Sequence, residues 1–243
     1  LWKSEKDNGM YQAINRGWSR ARGEILSWLN VDEQYLPGTL ALAEAAFRDN
    51  PDAEVIFGDT IIVGPAGDPL AARREIPLRA FYVKNSFLYS LSCSVFFRKT
   101  LRDRGLLHFD ETFRNAGDGE LMMRLLTQGV KVRHIRRYFS LFGVDGNNLT
   151  VQFAENMEKE EGRIRERYQA FRSPFLRRLV RLGRIAERFL AGCYRATDLA
   201  YDFATDEKPN YRRIAAKKVT ARFTYERAAQ ILQQQAAASV RIP

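Results

Sequence analysis

Residues 24–30, EILSWLN, carry apolar side chains on both faces of an extended chain, Ile25 and Leu29 on one and Leu26 and Trp28 on the other. Such a strand needs cover above and below, which a sheet buried between layers provides. The flanking sequence supplies that cover. Upstream, Met10, Ile14 and Trp18 recur at i, i+4, i+8 with Ala13 and Ala21 beside them, which is helix spacing with Asp7 or Asn8 as N-cap. Gly23 ends that helix, and downstream VDEQYLPG leads through Pro37 into a second one, GTLALAEAAFRDN. The alternation continues. AEVIFGDTIIV (53–63) reads as two short strands broken at Gly58-Asp59, and SCSVFFRKTLRDRG as a strand turning into a short helix. FDETFRNAGDGELMMRLLTQG gives a loop and a helix with Leu121, Leu125 and Leu126 inward, and VKVRHI alternates as a strand. Strands and helices in turn imply an α/β fold with a mainly parallel sheet.

Near residue 150 the pattern changes. The chain carries +10 overall, but residues 1–150 hold only +2 of it and residues 151–243 hold +8. The expected division is therefore a catalytic α/β part, 1–150, and a basic helical extension, 151–243. In PFLRRLVRLGRIAERFLAGCYRATDLAYDF an apolar stripe runs between arginines, and residues 163–195 contain ten arginines against two acids. One reading is a helix lying on an anionic membrane surface. The other is an amphipathic helix that packs its stripe on the sheet and turns its arginines to water.

Several classes are excluded. A hydrophobic content of 45% with 12% aromatics marks a folded chain. No run approaches 18 apolar residues, and no basic-then-apolar leader opens the sequence, so a cytoplasmic protein, peripheral at the inner face of the cell membrane, is expected. Cys93 and Cys193 lie far apart, and His108 and His134 show no metal-ligand spacing. The basic balance fits an anionic partner, but no nucleic-acid-binding motif accompanies it, so nucleic acid is not expected.

Three acidic positions carry candidate chemistry. Asp32 and Glu33 follow a strand directly, where open α/β sheets bind ligands, and their oxygens suit a hard divalent cation that clamps a diphosphate; a solvated turn would look the same. Asp118 stands between two glycines at a helix start, either as an N-cap or as a general base within reach of a substrate hydroxyl. Asp145, in GVDGNN, reads most simply as a turn residue.

Together these stretches resemble family 2 glycosyltransferases. SEKDNG, AINRG, GEI, NVDE and YLPG follow the order of that family's S-E-x-D-x-G, A-x-N-x-G, G-E-I, N-S-D-D and Y-L-P-G segments, and FDETFRNAGDGELMMRL is similar to its later F-D-E…E-D-x-D-L-x-x-R-L segment. The resemblance implies a GT-A-like fold that lacks the N-terminal β-α-β lead-in. It also implies transfer of a sugar from a nucleotide-diphosphate donor to a saccharide or polyprenyl-linked acceptor, with inversion, in cell-surface polysaccharide synthesis. Asp32 and Glu33 fall on the acidic site for Mg²⁺ or Mn²⁺, and Asp7, Gly9 and Asp32 on the nucleotide-sugar pocket. Asp118 falls on the base, and Asp145 on a position that lies near the donor phosphates in some relatives, where its oxygen would be a further metal ligand. Two positions depart from the pattern: Glu33 replaces the usual second Asp, and Gly117 replaces the acid that usually precedes the base. They motivate an alternative, an inactive fragment.

Overall fold

A computed structural model describes residues 3–144, 154–205 and 210–224. In chain order the described elements are α1 (Met10–Arg20), β1 (Ile25–Leu26), β2 (Glu33–Tyr35), α2 (Thr39–Asp49), β3 (Val55–Val63), β4 (Pro69–Arg73) and α3 (Ala80–Asn85). A 3-10 turn (Ser92–Ser94) then leads into β5 (Val95–Arg98) and α4 (Lys99–Asp103), followed by α5 (Gly117–Thr127) and β6 (Val132–Gly143). The remainder is α6 (Ala154–Arg167), α7 (Pro174–Leu190), β7 (Thr197–Thr205) and β8 (Asn210–Val219).

Strand β3 is the hinge of the architecture. All nine of its residues are buried. It pairs in parallel with β6 along its whole length, and antiparallel with β5 over Val55–Phe57 and with β4 over Thr60–Val63. The main sheet runs β1-β5-β3-β6-β2, with β4 on the far half of β3. This corrects the expectation of a mainly parallel sheet: among the described pairs only β3–β6 is parallel. The apolar pattern misleads because it reports cover on both faces, whatever the direction of the neighbours. Here Val55 and Phe57 pack beneath α1 and α5, Ile56 packs under α2 with Phe96 and Phe139, and Ile61 and Val63 lie against β7 and β8.

The expected break at Gly58-Asp59 is instead a slip of register within one strand. Gly58 pairs with Ile135 and Asp59 with Tyr138, so β6 carries two extra residues there. A Cβ at Gly58 would stand 2.4 Å from the Phe139 ring, so the slip needs glycine. Strand EILSWLN also shrinks, to Ile25–Leu26, because β5 offers it only Arg98 and Phe97 as partners. Asp32 and Glu33 therefore do not end a parallel strand; Glu33 begins β2, opposite Phe142.

Helix α1 forms as its spacing predicts. Trp18 is buried and stacks on Phe109 at 5.2 Å, and Tyr11 stacks on the same ring at 4.5 Å. Its N-cap is Gly9, not Asp7 or Asn8; Asp7 Oδ1 accepts the Gly9 N–H at 2.9 Å instead.

The C-terminal part is not helical throughout. Helix α7 stops at Leu190, Gly192 turns into the left-handed region (φ +72°), and Leu199, Tyr201 and Phe203 then alternate inward as strand β7. The β7–β8 hairpin docks on the rim of the main sheet. Tyr201 donates to the Gly67 carbonyl at 2.6 Å, and the Gln34 amide exchanges two hydrogen bonds with the backbone of Ala204.

Candidate active site

A cleft of about 950 Å³ opens between α1, the 28–32 loop, α3 with the loop after it, the N-terminus of α5, and α6. Asp32 and Asp118 both line it, although they come from distant parts of the sequence.

Asp32 is exposed at the tip of a tight turn that Glu33 closes. The Glu33 N–H donates to the Asn30 carbonyl at 3.1 Å, and its carboxylate accepts the Asn30 N–H at 2.9 Å and the Ser92 hydroxyl at 3.1 Å. That carboxylate is buried, and burial pushes its pKa up. The structure thus separates the two acids: Asp32 faces the cleft, while Glu33 faces the turn. On the other side the Asp32 carbonyl lies 2.5 Å from where a Cβ at Gly143 would stand, so β6 supports the turn closely only because position 143 is glycine. Asp145 lies outside the described residues.

Asp118 sits in the first turn of α5, half-buried, and its Oδ1 accepts the Gly119 N–H at 2.8 Å. Burial pushes its pKa up to about 6, and the charges of Glu161 and Glu160 add to the rise. Helix α6 holds this end of α5. The buried Glu160 accepts the backbone N–H groups of Arg114, Asn115 and Ala116 at 2.7, 2.8 and 2.8 Å. Ala116 is the N-cap of α5 and the other two residues lead into it, so α6 sets a charge of the favourable sign at the start of α5. The Tyr11 hydroxyl accepts the next one, Gly117 N–H, at 2.8 Å.

Asp7 and Gly9 do not line the cleft; they set the start of α1, whose Met10 and Tyr11 do. Gly9 holds φ +124°, and Arg114 donates to the carbonyl of Asn8 beside it. The cleft also presents Lys84, Arg73 and Arg165, the last paired with Glu161 at 2.9 Å. Ser90 lines it too, buried and with a hydroxyl that finds no partner among the described residues.

The contribution of α6 is absent from the reading of the sequence. Its signal was present: Met157, Glu161, Ile164 and Arg165 fall at i, i+4, i+7, i+8, one helix face, and all four line the cleft. Met157 and Ile164 are the only large apolar residues of this highly charged helix, so the period is faint.

No curated protein matches this chain. Among solved structures it is similar to S. aureus TarS 1-349, with 17% identity and a TM-score of 0.44, over 67% of this chain and 50% of that one. It is also similar to TarS 1-349 in complex with UDP-GlcNAc, with 15% identity and a TM-score of 0.45, over 84% of this chain and 79% of that one. The chain thus spans about half the length of the first of these. Independently, its sequence matches the glycosyl transferase family 2 profile over a segment that includes Asp7, Gly9, Asp32 and Glu33 and ends before Asp118. Over residues 2–106 the chain is thus similar to glycosyl transferase family 2.

Proposed function

We propose that the enzyme to which this chain belongs transfers a sugar from a nucleotide-diphosphate donor to a hydroxyl of a saccharide or lipid-linked saccharide, with inversion, in the synthesis of a surface polysaccharide. Residues 1–150 form its catalytic part, and the extension 151–243 completes the cleft through α6. One observation carries the reading: the exposed carboxylate of Asp32 and the carboxylate of Asp118, pushed up to about 6 by burial, line one cleft.

In this reading Asp118 takes the proton from the acceptor hydroxyl as that oxygen forms its bond to the anomeric carbon. The bond from that carbon to the diphosphate breaks, and the electron pair leaves with the phosphate oxygen. A pKa near 6 leaves Asp118 ionised at neutral pH yet basic enough to assist. Lys84 and Arg165 bring positive charge to the cleft that receives the diphosphate, and the Ser90 hydroxyl offers a hydrogen bond to a sugar.

The fit of a divalent ion rests on Asp32. Among the described residues no three His, Cys, Asp or Glu side chains gather as a metal site. Mg²⁺, however, is commonly held by one or two carboxylates together with substrate phosphates, and a single outward Asp32 satisfies that arrangement. Mg²⁺ or Mn²⁺ bound at Asp32 would stabilise the charge that develops on the departing diphosphate. Glu33, in this reading, keeps Asp32 in place.

Two measurements test the proposal. Calorimetry with nucleoside diphosphates, with and without Mn²⁺, should show metal-assisted binding that Asp32→Ala weakens. A panel of nucleotide sugars should yield released diphosphate from the parent chain and none from Asp118→Asn. Binding without any release by the unsubstituted protein would favour the inactive alternative, and absence of binding would remove the donor assignment.

A further inference from the structure

Helix α7 is mounted with its charges inward and its apolar residues outward. Arg184 and Arg188 are only 3% and 9% exposed, while Phe175, Phe189 and Leu190 are 67%, 70% and 85% exposed. Leu179 and Leu182 are exposed as well, and with Phe175, Ala186 and Phe189 they fall on one side of the helix, opposite Arg184. This reverses the arrangement in which the stripe packs on the sheet.

The orientation is fixed by specific bonds. Arg188 Nε and Arg184 Nη1 approach the buried Glu75 Oε2 at 3.1 and 3.7 Å, and Arg73 Nε holds Glu75 Oε1 at 2.9 Å. Arg184 lies over the rings of Phe87 and Tyr89 at 4.5 and 5.0 Å, and Arg188 donates to the Arg74 carbonyl at 2.8 Å. Glu187 is held by Arg79 and by the Tyr82 hydroxyl at 2.8 Å. To roll the helix and bury its stripe, all of these contacts would have to break. The apolar face is therefore a standing feature of the surface.

We propose that this face docks the protein on an anionic phospholipid surface. Arg172, Arg178 and Arg181 are exposed around the stripe. The one acid of α7, Glu187, is spent on the inward side. Apolar side chains flanked by cations with no carboxylate among them match the acyl boundary and headgroups of an anionic bilayer. A second copy fits less well, since symmetry would set these arginines against one another with no acid to offset them. No described helix is long and apolar enough to cross a membrane, so α7 lies on the surface. The inference is independent of the chemistry assigned to the cleft. The two are neighbours, however: Phe87, under Arg184, lines the cleft, as do Val83 and Lys84 of α3.

The test is co-sedimentation of the full chain with vesicles of phosphatidylcholine alone and of phosphatidylcholine with phosphatidylglycerol. Binding to the anionic vesicles, reversed by salt and weak on neutral ones, is expected. Each arginine near an anionic surface is worth about fivefold in partitioning. Arg172→Glu with Arg178→Glu should therefore lower binding by roughly tenfold or more and abolish the anionic preference. Leu182→Glu with Phe189→Glu should remove binding to both vesicle types, and the milder Leu182→Gln with Phe189→Gln should weaken it. All four positions are exposed, so circular dichroism and nucleotide binding should stay unchanged. Failure to sediment with anionic vesicles at low salt would overturn the proposal. So would a dimer in ultracentrifugation that becomes monomeric in the Leu182→Glu, Phe189→Glu variant, because a second copy would then cover the face.

Discussion

The ring of Tyr11 occupies the space that a side chain at Gly117 would need: a Cβ there would stand 2.5 Å from Tyr11 Cε2 and 2.7 Å from Cζ. The same tyrosine accepts the Gly117 N–H, so α1 both props and caps the start of α5. The missing acid at this position is thus a packing requirement, and Glu160 and Glu161 bring acids to Asp118 from α6. Gly117→Ala should lower stability by about 1–3 kcal/mol, as overpacking does. Gly117→Glu should do so at least as strongly without raising activity. Denaturant melts of the two variants check this; an unperturbed Gly117→Glu protein would contradict the geometry.

Asp118 links activity to pH. Its carboxyl is raised from 3.8 to about 6, so the folded protein holds this proton more tightly than the unfolded chain does. The penalty of ionising it is absent below 3.8, grows as pH rises, and is complete above about 6. Asp118→Asn should therefore melt higher than the unsubstituted protein at pH 7–8 and alike near pH 4. The same substitution should reduce transfer by about 10²–10⁴-fold, and the unsubstituted enzyme should show an acid limb in kcat/KM near pH 6. Parallel melts and a pH–rate profile separate the two effects.

The adjacent acids should respond differently. Asp32→Asn removes a charge that faces the cleft and should cost transfer about 10²–10³-fold, with a higher Mn²⁺ requirement. Glu33→Gln keeps an acceptor and supplies a donor inside the turn, so it should retain activity within roughly tenfold at saturating metal. Equal losses from the two, measured across a Mn²⁺ titration, would mean that Glu33 also reaches the ion.

Much of this site was legible in the sequence, and the rest was hidden for physical reasons. Asp32, Asp118 and the α1 and α5 helices are local signals: turn chemistry, a glycine-flanked helix start and an apolar period. Which of two adjacent acids faces the cleft depends on Ser92, far along the chain, and cannot be read from the pair itself. Sheet direction was concealed because β3 is covered on both faces by layers of different origin. In α7 the pattern of apolar and basic residues was visible, but its orientation depends on partners far away in the sequence, among them the buried acid Glu75 and the rings of Phe87 and Tyr89.

Removing Glu160 should loosen the base without touching it. Three backbone donors would lose a charged acceptor, an interaction worth about 1.5–3 kcal/mol. Glu160→Ala should lower both stability and kcat. Glu160→Gln keeps one acceptor oxygen and should recover part of each, with the acid limb kept but moved somewhat below pH 6, since one of the charges that raise Asp118 is gone. Loss of that limb in the Gln variant would show that Glu160, and not Asp118, carries the titration.

Glu75 is the sharpest test of how α7 is held. It is buried among Arg73, Arg184 and Arg188, and three cations share its two oxygens. Desolvation already pushes the pKa of Arg184 down, although the charge of Glu75 opposes the shift. Removing one partner of a buried ion pair leaves uncompensated charge and costs about 3–5 kcal/mol. Glu75→Gln should therefore release α7 from the segment that follows β4 before the main sheet unfolds, because β3 and the α1–α5 layer do not depend on it. Hydrogen exchange should show α7 amides losing protection while those of β3 keep theirs. Uniform loss across both would mean that the buried charge cluster holds the whole fold, and uniform retention that the stacking of Arg184 on Phe87 and Tyr89 suffices to seat the helix.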